Sequence, residues 1–126
     1  MSPTKKKILV VDDDEKHLLT TKELLELSGY EVVVHNSPFR TSEVVKTASP
    51  DLIILDVNMP ALSGDRLCSL LKGHSTAREV PVVLYSSNDE DSLRRSVAEF
   101  GADGYVCKGD IAALRGMACR MLQSAG

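Results

Sequence analysis

The sequence predicts an α/β fold: a doubly wound, five-stranded parallel sheet with helices on both faces. Two observations predict it. Short aliphatic runs alternate strictly with stretches that carry apolar residues at helical spacing, through five strand-helix units. One run, Leu52–Leu55, is apolar at every position, as a strand covered on both faces must be. Right-handed crossovers between parallel strands then leave an open sheet as the expected architecture.

Each element follows from a local signal. Lys7–Val11 reads as the first strand, and Leu18 and Leu25 mark the helix from about Glu15 to Ser28, stopped by Gly29. Glu31–His35, with three consecutive valines, is the second strand. Ser37-Pro38 is expected to open the second helix, with Val44, Val45 and Ala48 on its apolar side and Pro50 beyond its end. Leu52–Leu55 is the central strand. After the turn-forming Met59–Gly64, a third helix carries Leu67, Leu70 and Leu71 to about Gly73, and Val80–Tyr85 supplies the fourth strand. Leu93, Val97 and Phe100 stripe the fourth helix. Gly101–Gly104 turns the chain into the short strand Tyr105–Cys107, and Ile111, Leu114, Ala118, Met121 and Leu122 stripe the last helix.

A chain of 126 residues is the size of one domain, expected over 1–126 with ends fraying at about 1–5 and 123–126. With 43% hydrophobic and 26% charged residues, the composition is that expected of an ordinary soluble globular protein rather than a disordered or membrane one. A net charge of -3 leaves no electrostatic footprint for nucleic acid, and Lys5-Lys6-Lys7 reads as a solvated edge. There is no bilayer-length apolar run and no secretory signal, so the expectation is a cytoplasmic protein with no membrane partner. Cys68, Cys107 and Cys119 are odd in number and have no C-x-x-C spacing; they read as small core packers rather than a disulfide or zinc framework.

In such sheets ligands bind beyond the carboxyl ends of the strands, so function is to be sought there. The first strand ends in Asp12 and Asp13, the third in Asp56, the fourth in Ser86 and Ser87, and the fifth in Lys108. Two carboxylates about 4 Å apart repel by roughly 4 kcal/mol at an effective dielectric near 20. Lys108 can neutralise one charge. The remainder suits a hard divalent cation, and magnesium, which takes one or two carboxylates and keeps several waters, is the expected cofactor. Asp14 and Glu15 fall outside this site: Asp14 reads as a helix N-cap, and Glu15 favours the positive end of the helix dipole.

The runs ILVVDDDEKHLL, PDLIILDVNMPALSGDRL, VPVVLYSS and GADGYVCK resemble the receiver domain of bacterial response regulators, the phosphoacceptor half of two-component signalling. The resemblance covers essentially the whole chain. It implies the flavodoxin-like strand order 2-1-3-4-5 and a set of roles. Asp56 would accept a phosphoryl group from a sensor histidine kinase or a phosphotransfer protein. Magnesium would be held by Asp13 directly, by Asp12 mainly through water, by Asp56 and by the backbone carbonyl of Asn58. Ser86 and Lys108 would each bind a phosphoryl oxygen. On activation Ser86 and Tyr105 would switch, and an effector would read the fourth helix, fifth strand and fifth helix, around Asp89–Phe100 and Tyr105–Leu122. Such a domain is a phosphoacceptor with self-catalysed transfer and autodephosphorylation, not an enzyme. The chemistry of the residues agrees, because phosphoryl transfer to a carboxylate needs positioning and charge neutralisation more than a general base.

The sequence also departs from the family. Gly109 stands where a proline after a cis bond is common, so a trans peptide and a looser lysine loop are expected. Ser86 replaces the commoner threonine but keeps the hydroxyl. Asn58 and Asn88 occupy positions at which the family tunes phosphoryl lifetime. Two other functions are weighed. A phosphorylation-independent protein-binding module usually lacks one of Asp12, Asp13, Asp56, Ser86 or Lys108, all of which are present. A haloacid dehalogenase type phosphatase would carry Asp-x-Asp followed by threonine or valine and a cap insertion, whereas Asp12-Asp13-Asp14-Glu15-Lys16 has only the aspartate spacing. No output segment follows the last helix, so the chain is expected to be a stand-alone receiver or a domain cut from a longer protein.

Overall fold

The computed structural model describes residues 5–73 and 77–123. The expected frayed ends fall largely outside them. Five strands, β1 (Lys7–Val11), β2 (Glu31–His35), β3 (Leu52–Asp56), β4 (Val82–Ser86) and β5 (Gly104–Cys107), alternate with five helices, α1 (Glu15–Leu27), α2 (Thr41–Ala48), α3 (Gly64–Lys72), α4 (Glu90–Phe100) and α5 (Ile111–Gln123). All neighbouring strands are parallel, in the order β2-β1-β3-β4-β5. The sheet is therefore the doubly wound one that the alternation predicts.

Strand periodicity divides the core in two. Leu9, Val11, Ile53, Leu55, Val82 and Leu84 face Val45 of α2, Leu67, Cys68 and Leu71 of α3, and Leu93 of α4. Their neighbours Ile8, Val10, Leu52, Ile54, Val83 and Val106 face Leu18 and Leu25 of α1 and Leu114, Ala118 and Leu122 of α5. Each fully buried Leu or Ile stabilises the fold by about 1.5–3 kcal/mol relative to exposure. The two faces bury every residue of β3, whose last position is Asp56. A carboxylate is thus carried to the mouth of the sheet on an otherwise apolar strand.

Several expectations need correction: β4 runs Val82–Ser86 rather than Val80–Tyr85, and Ile111, expected on the apolar stripe of α5, is 40% exposed. The second helix begins at Thr41 rather than at Ser37-Pro38, because Arg40 takes a left-handed φ of 62° that a helix cannot continue through. Residues 37–40 form a turn, in which the Phe39 N–H donates to Ser37 Oγ (3.1 Å) and the Thr41 hydroxyl to the Pro38 carbonyl (2.8 Å). Leu70, expected on the apolar stripe of α3, is 62% exposed; Cys68 takes the buried position. Of the three cysteines only Cys68 is fully a core packer, and burial pushes its thiol up to about 11. The described residues contain no cis peptide, so the bond to Gly109 is trans as expected, and Gly109 supplies a φ of 93°.

The amino-terminal end of the sheet is clasped by polar groups. The Lys7 N–H donates to Asp51 Oδ2 (2.8 Å), its ammonium to the Ala48 carbonyl (2.8 Å), and the Asp51 N–H returns a bond to the Lys7 carbonyl (2.7 Å). On the other side Asp103 Oδ2 accepts from the Val82 N–H (2.8 Å) and pairs with Lys72 (2.7 Å).

At the opposite end, Gly64 opens α3 against the loop that follows Asp56, its N–H donating to the Val57 carbonyl (2.9 Å). A Cβ at this position would overlap the Asp56 carbonyl, which is backbone and has nowhere to retreat. Gly64→Ala is expected to cost about 3 kcal/mol or more, the upper end of overpacking penalties, read as a fall in the urea midpoint at unchanged slope.

Candidate functional site

The run Asp12-Asp13-Asp14-Glu15 divides four acids among four tasks. Asp12 is buried at the end of β1, where its N–H donates to the His35 carbonyl (3.2 Å) and its Oδ1 accepts the Asp14 N–H (2.9 Å). Asp13 is exposed and joins the cluster from the solvent side. Asp14 caps α1, accepting from the N–H groups of Lys16 (3.0 Å) and His17 (3.4 Å), and these bonds hold its carboxyl below the usual range. Glu15 accepts from the Asn36 side chain (3.1 Å). The exclusion of Asp14 and Glu15 from the cluster agrees with these contacts.

Asp12, Asp13 and Asp56 each offer a carboxylate oxygen, and the three oxygens lie within 4.8 Å of one another. Lys108 reaches in from the end of β5, its ammonium 3.1 Å from Asp12 Oδ2 and 3.4 Å from Asp56 Oδ1. The ammonium also lies 5.9 Å from the centre of the Tyr85 ring. The backbone on either side of the Lys108-Gly109 bond is anchored, the Lys108 N–H donating to the Ser86 carbonyl (2.8 Å) and the Asp110 N–H to the Cys107 carbonyl (3.2 Å). Three carboxylates against one ammonium leave the cluster negative, with only hard oxygen donors. That donor set fits magnesium rather than a softer metal.

Burial, foremost, raises the proton affinity of Asp56. The Asn58 N–H (3.1 Å to Oδ1) and Lys108 oppose the rise, while the Asp12 charge adds to it.

Ser86 is fully buried, and its Oγ accepts from the Asn58 side-chain amide (3.1 Å) and the Asn88 N–H (3.1 Å). The same Asn58 amide nitrogen also donates to Asn88 Oδ1 (3.1 Å), joining the loops after β3 and β4. Tyr105 stands apart at the edge of the sheet. Its hydroxyl donates to Glu90 Oε1 (2.8 Å) and accepts from Arg94 Nε (3.3 Å), while Arg94 also pairs with Glu90 (2.8 Å). The Tyr105 hydroxyl, ahead of Arg94, holds the Glu90 carboxyl below its usual range.

With Asp12, Asp13, Asp56 and Lys108 gathered in one crevice of a 2-1-3-4-5 sheet, comparison with known proteins is decisive. The family model for the response regulator receiver domain matches residues 8–118. The chain belongs to that family. This receiver domain is 36% identical, over 82% of its length, to the alkaline phosphatase synthesis transcriptional regulatory protein PhoP of Bacillus subtilis, of which it spans 42%. It is 28% identical to the polar-differentiation response regulator DivK of Brucella ovis, covering 82% of this chain and 84% of DivK. Among solved structures, the response regulator TrrA of Thermotoga maritima, in complex with Mg2+ and BeF, superposes with a TM-score of 0.82 at 26% identity, covering 93% of this chain and 99% of that one. Receiver domains of response regulators act in two-component signalling. No helix among the described residues of this one is long and apolar enough to cross a membrane.

One neighbour of the cluster escapes a reading of strand ends alone. His17, in the first turn of α1, places Nδ1 3.0 Å from the Lys108 ammonium and 3.8 Å from Asp12 Oδ2. The sequence signal is only its place in the first turn of the helix that follows the acidic run.

Raising a carboxyl pKa above its ordinary 3.8 means that the folded protein holds the proton longer than the unfolded chain. The contribution of Asp56 to stability therefore falls as pH rises from about 3.8 through the folded value. In metal-free buffer Asp56→Asn is expected to raise the melting temperature at pH 7, and the advantage should narrow toward pH 4, as calorimetry across that range would record.

Proposed function

We propose that this receiver domain is a phosphorylation-activated switch, with Asp56 accepting a phosphoryl group from the phosphohistidine of a sensor histidine kinase or phosphotransfer protein. The observation that carries the reading is the single cluster of Asp56, Asp12, Asp13 and the Lys108 ammonium. An Asp56 carboxylate oxygen forms a bond to phosphorus as the bond from phosphorus to the donor nitrogen breaks, and the imidazole leaves with the electron pair. The product is an acyl phosphate that water later cleaves, returning Asp56 and inorganic phosphate. The step is self-catalysed in both directions of the cycle, so the protein is a phosphoacceptor rather than an enzyme with a separate substrate.

Asp12, Asp13, Asp56 and the Asn58 carbonyl would hold Mg2+, which when bound supplies positive charge to the transferring phosphoryl oxygens. Lys108 neutralises another oxygen, and the Ser86 hydroxyl, which already accepts two hydrogen bonds, turns its own proton toward a third. An added phosphoryl brings close to two negative charges and new acceptors, drawing the Ser86 loop inward. Tyr105 would follow, leaving Glu90 and Arg94, and so change the face formed by α4, β5 and α5 that an effector reads. That effector is a protein partner, with the domain in the cytoplasm and in no direct contact with nucleic acid or membrane.

Intact mass after incubation with acetyl phosphate tests the reading. A phosphoryl adduct is expected that requires Mg2+ and is absent in Asp56→Asn, and Lys108→Met should slow its formation on the order of 100-fold, the usual cost of removing one group that stabilises transition-state charge. A folded wild type that binds Mg2+ yet forms no adduct, even when quenched rapidly, would favour the phosphorylation-independent binding module instead.

A further inference from the structure

The Lys108 ammonium has three N–H donors and three acceptors around it. Asp12 Oδ2 and Asp56 Oδ1, at 3.1 and 3.4 Å, belong to the carboxylate cluster. The third, His17 Nδ1 at 3.0 Å, is the nearest of the three and comes from a different element. A protonated lysine can only donate, so this contact requires His17 to present a bare Nδ1, with its proton on Nε2.

The ring is placed for this task by the backbone beneath it. Asp14 caps α1 by accepting the His17 N–H at 3.4 Å, and the Asp14 N–H is in turn held by Asp12 Oδ1 at 2.9 Å. His17 is therefore tied at its main chain to the carboxylates and at its ring to the ammonium. The lysine needs such a tie. Its side chain is four carbons long, and the residue after it is Gly109, with a φ of 93° and no ring to stiffen the loop.

We propose that His17 is a positioning residue of the phosphoryl-transfer site, which fixes the Lys108 ammonium between Asp12 and Asp56 from the far side of the crevice. The inference rests on the phosphoacceptor reading of Asp56. His17 touches neither the incoming phosphoryl group nor the donor and acts through the lysine alone. Holding the ammonium in place before reaction removes an ordering cost from the transfer step.

Two variants separate this role from a structural one. His17→Phe keeps a ring on α1 but removes the acceptor, whereas in His17→Asn the amide oxygen can take the place of Nδ1. Formation of the metal-dependent adduct from acetyl phosphate is expected to slow by roughly three- to tenfold in the phenylalanine variant, the scale of one lost positioning hydrogen bond, and to recover in the asparagine variant. The nitrogen-15 spectrum of the His17 imidazole in the wild type is expected to show an unprotonated Nδ1 whose resonance moves in Lys108→Met. Equal rates in all three proteins, faster transfer in His17→Phe, or an Nδ1 signal indifferent to Lys108→Met would each overturn the proposal. A wild type that forms no adduct would instead overturn the Asp56 reading and with it the rate role of His17, while the imidazole spectrum would still decide whether the lysine is anchored.

Discussion

Among the described residues the Lys108 ammonium is the one lysine or arginine cation that reaches both the buried carboxylate after β1 and that at the end of β3, and the arrangement of the whole crevice depends on it. It arrives from β5, across β4, and sits 3.1 Å from Asp12 and 3.4 Å from Asp56. Neither of those carboxylates has much water around it, each being 3% exposed. Without the ammonium their repulsion would act in a poorly screened setting. The parallel order β2-β1-β3-β4-β5 is what brings these strand ends to one place, and the two apolar faces hold the strands in that order.

Charge at the crevice is nevertheless incompletely neutralised. The loops after β1, β3 and β4 spend their polar groups on one another: Asp14 on α1, Asn58 on Ser86 and Asn88, Asn88 on Ser86. These bonds keep the backbone ordered while leaving Asp13 open to solvent. Under the proposed function that combination is suited to a site that must bind a cation and a phosphoryl group in succession and release both. Tyr105 carries the same logic to the sheet edge, since a hydroxyl shared between Glu90 and Arg94 is held by groups that water can also satisfy.

Much of this was legible in the sequence because strand ends are sharp. An apolar run that stops at an aspartate or a lysine declares where the charge must surface, and Asp12, Asp13, Asp56 and Lys108 meet as that reasoning expects. Asp14 as a cap was equally local. What escaped depends on side-chain direction across elements. His17 looks like any polar residue of an amphipathic helix until the crevice is built beneath it. The bridge from Asn58 to Asn88 spans 30 residues of sequence, and the hold of Glu90 on Tyr105 spans 15. At the start of α2 the genuine initiation signal of Ser37-Pro38 is overridden by the left-handed turn at Arg40, so the helix begins at Thr41. Leu70 fits the helical spacing of Leu67 and Leu71 as well as Cys68 does, and only the packing against the sheet shows that the buried face runs through Cys68.

The clasp at the amino-terminal end of the sheet gives the molecule a mechanical polarity. Asp51 binds the Lys7 backbone, the Lys7 ammonium binds the Ala48 carbonyl, and Asp103 binds both the Val82 backbone and the Lys72 ammonium, so the strand starts are held at distances of 2.7–2.8 Å. The clustered carboxylates Asp12, Asp13 and Asp56 lie at the other end. A rearrangement of the loops around the crevice can then pivot on strands that are pinned at their roots, so that displacement grows from the fixed rim toward the charged mouth instead of spreading evenly through the sheet. The sheet is thus mounted like a set of cantilevers, fastened at the strand starts and charged at the strand ends.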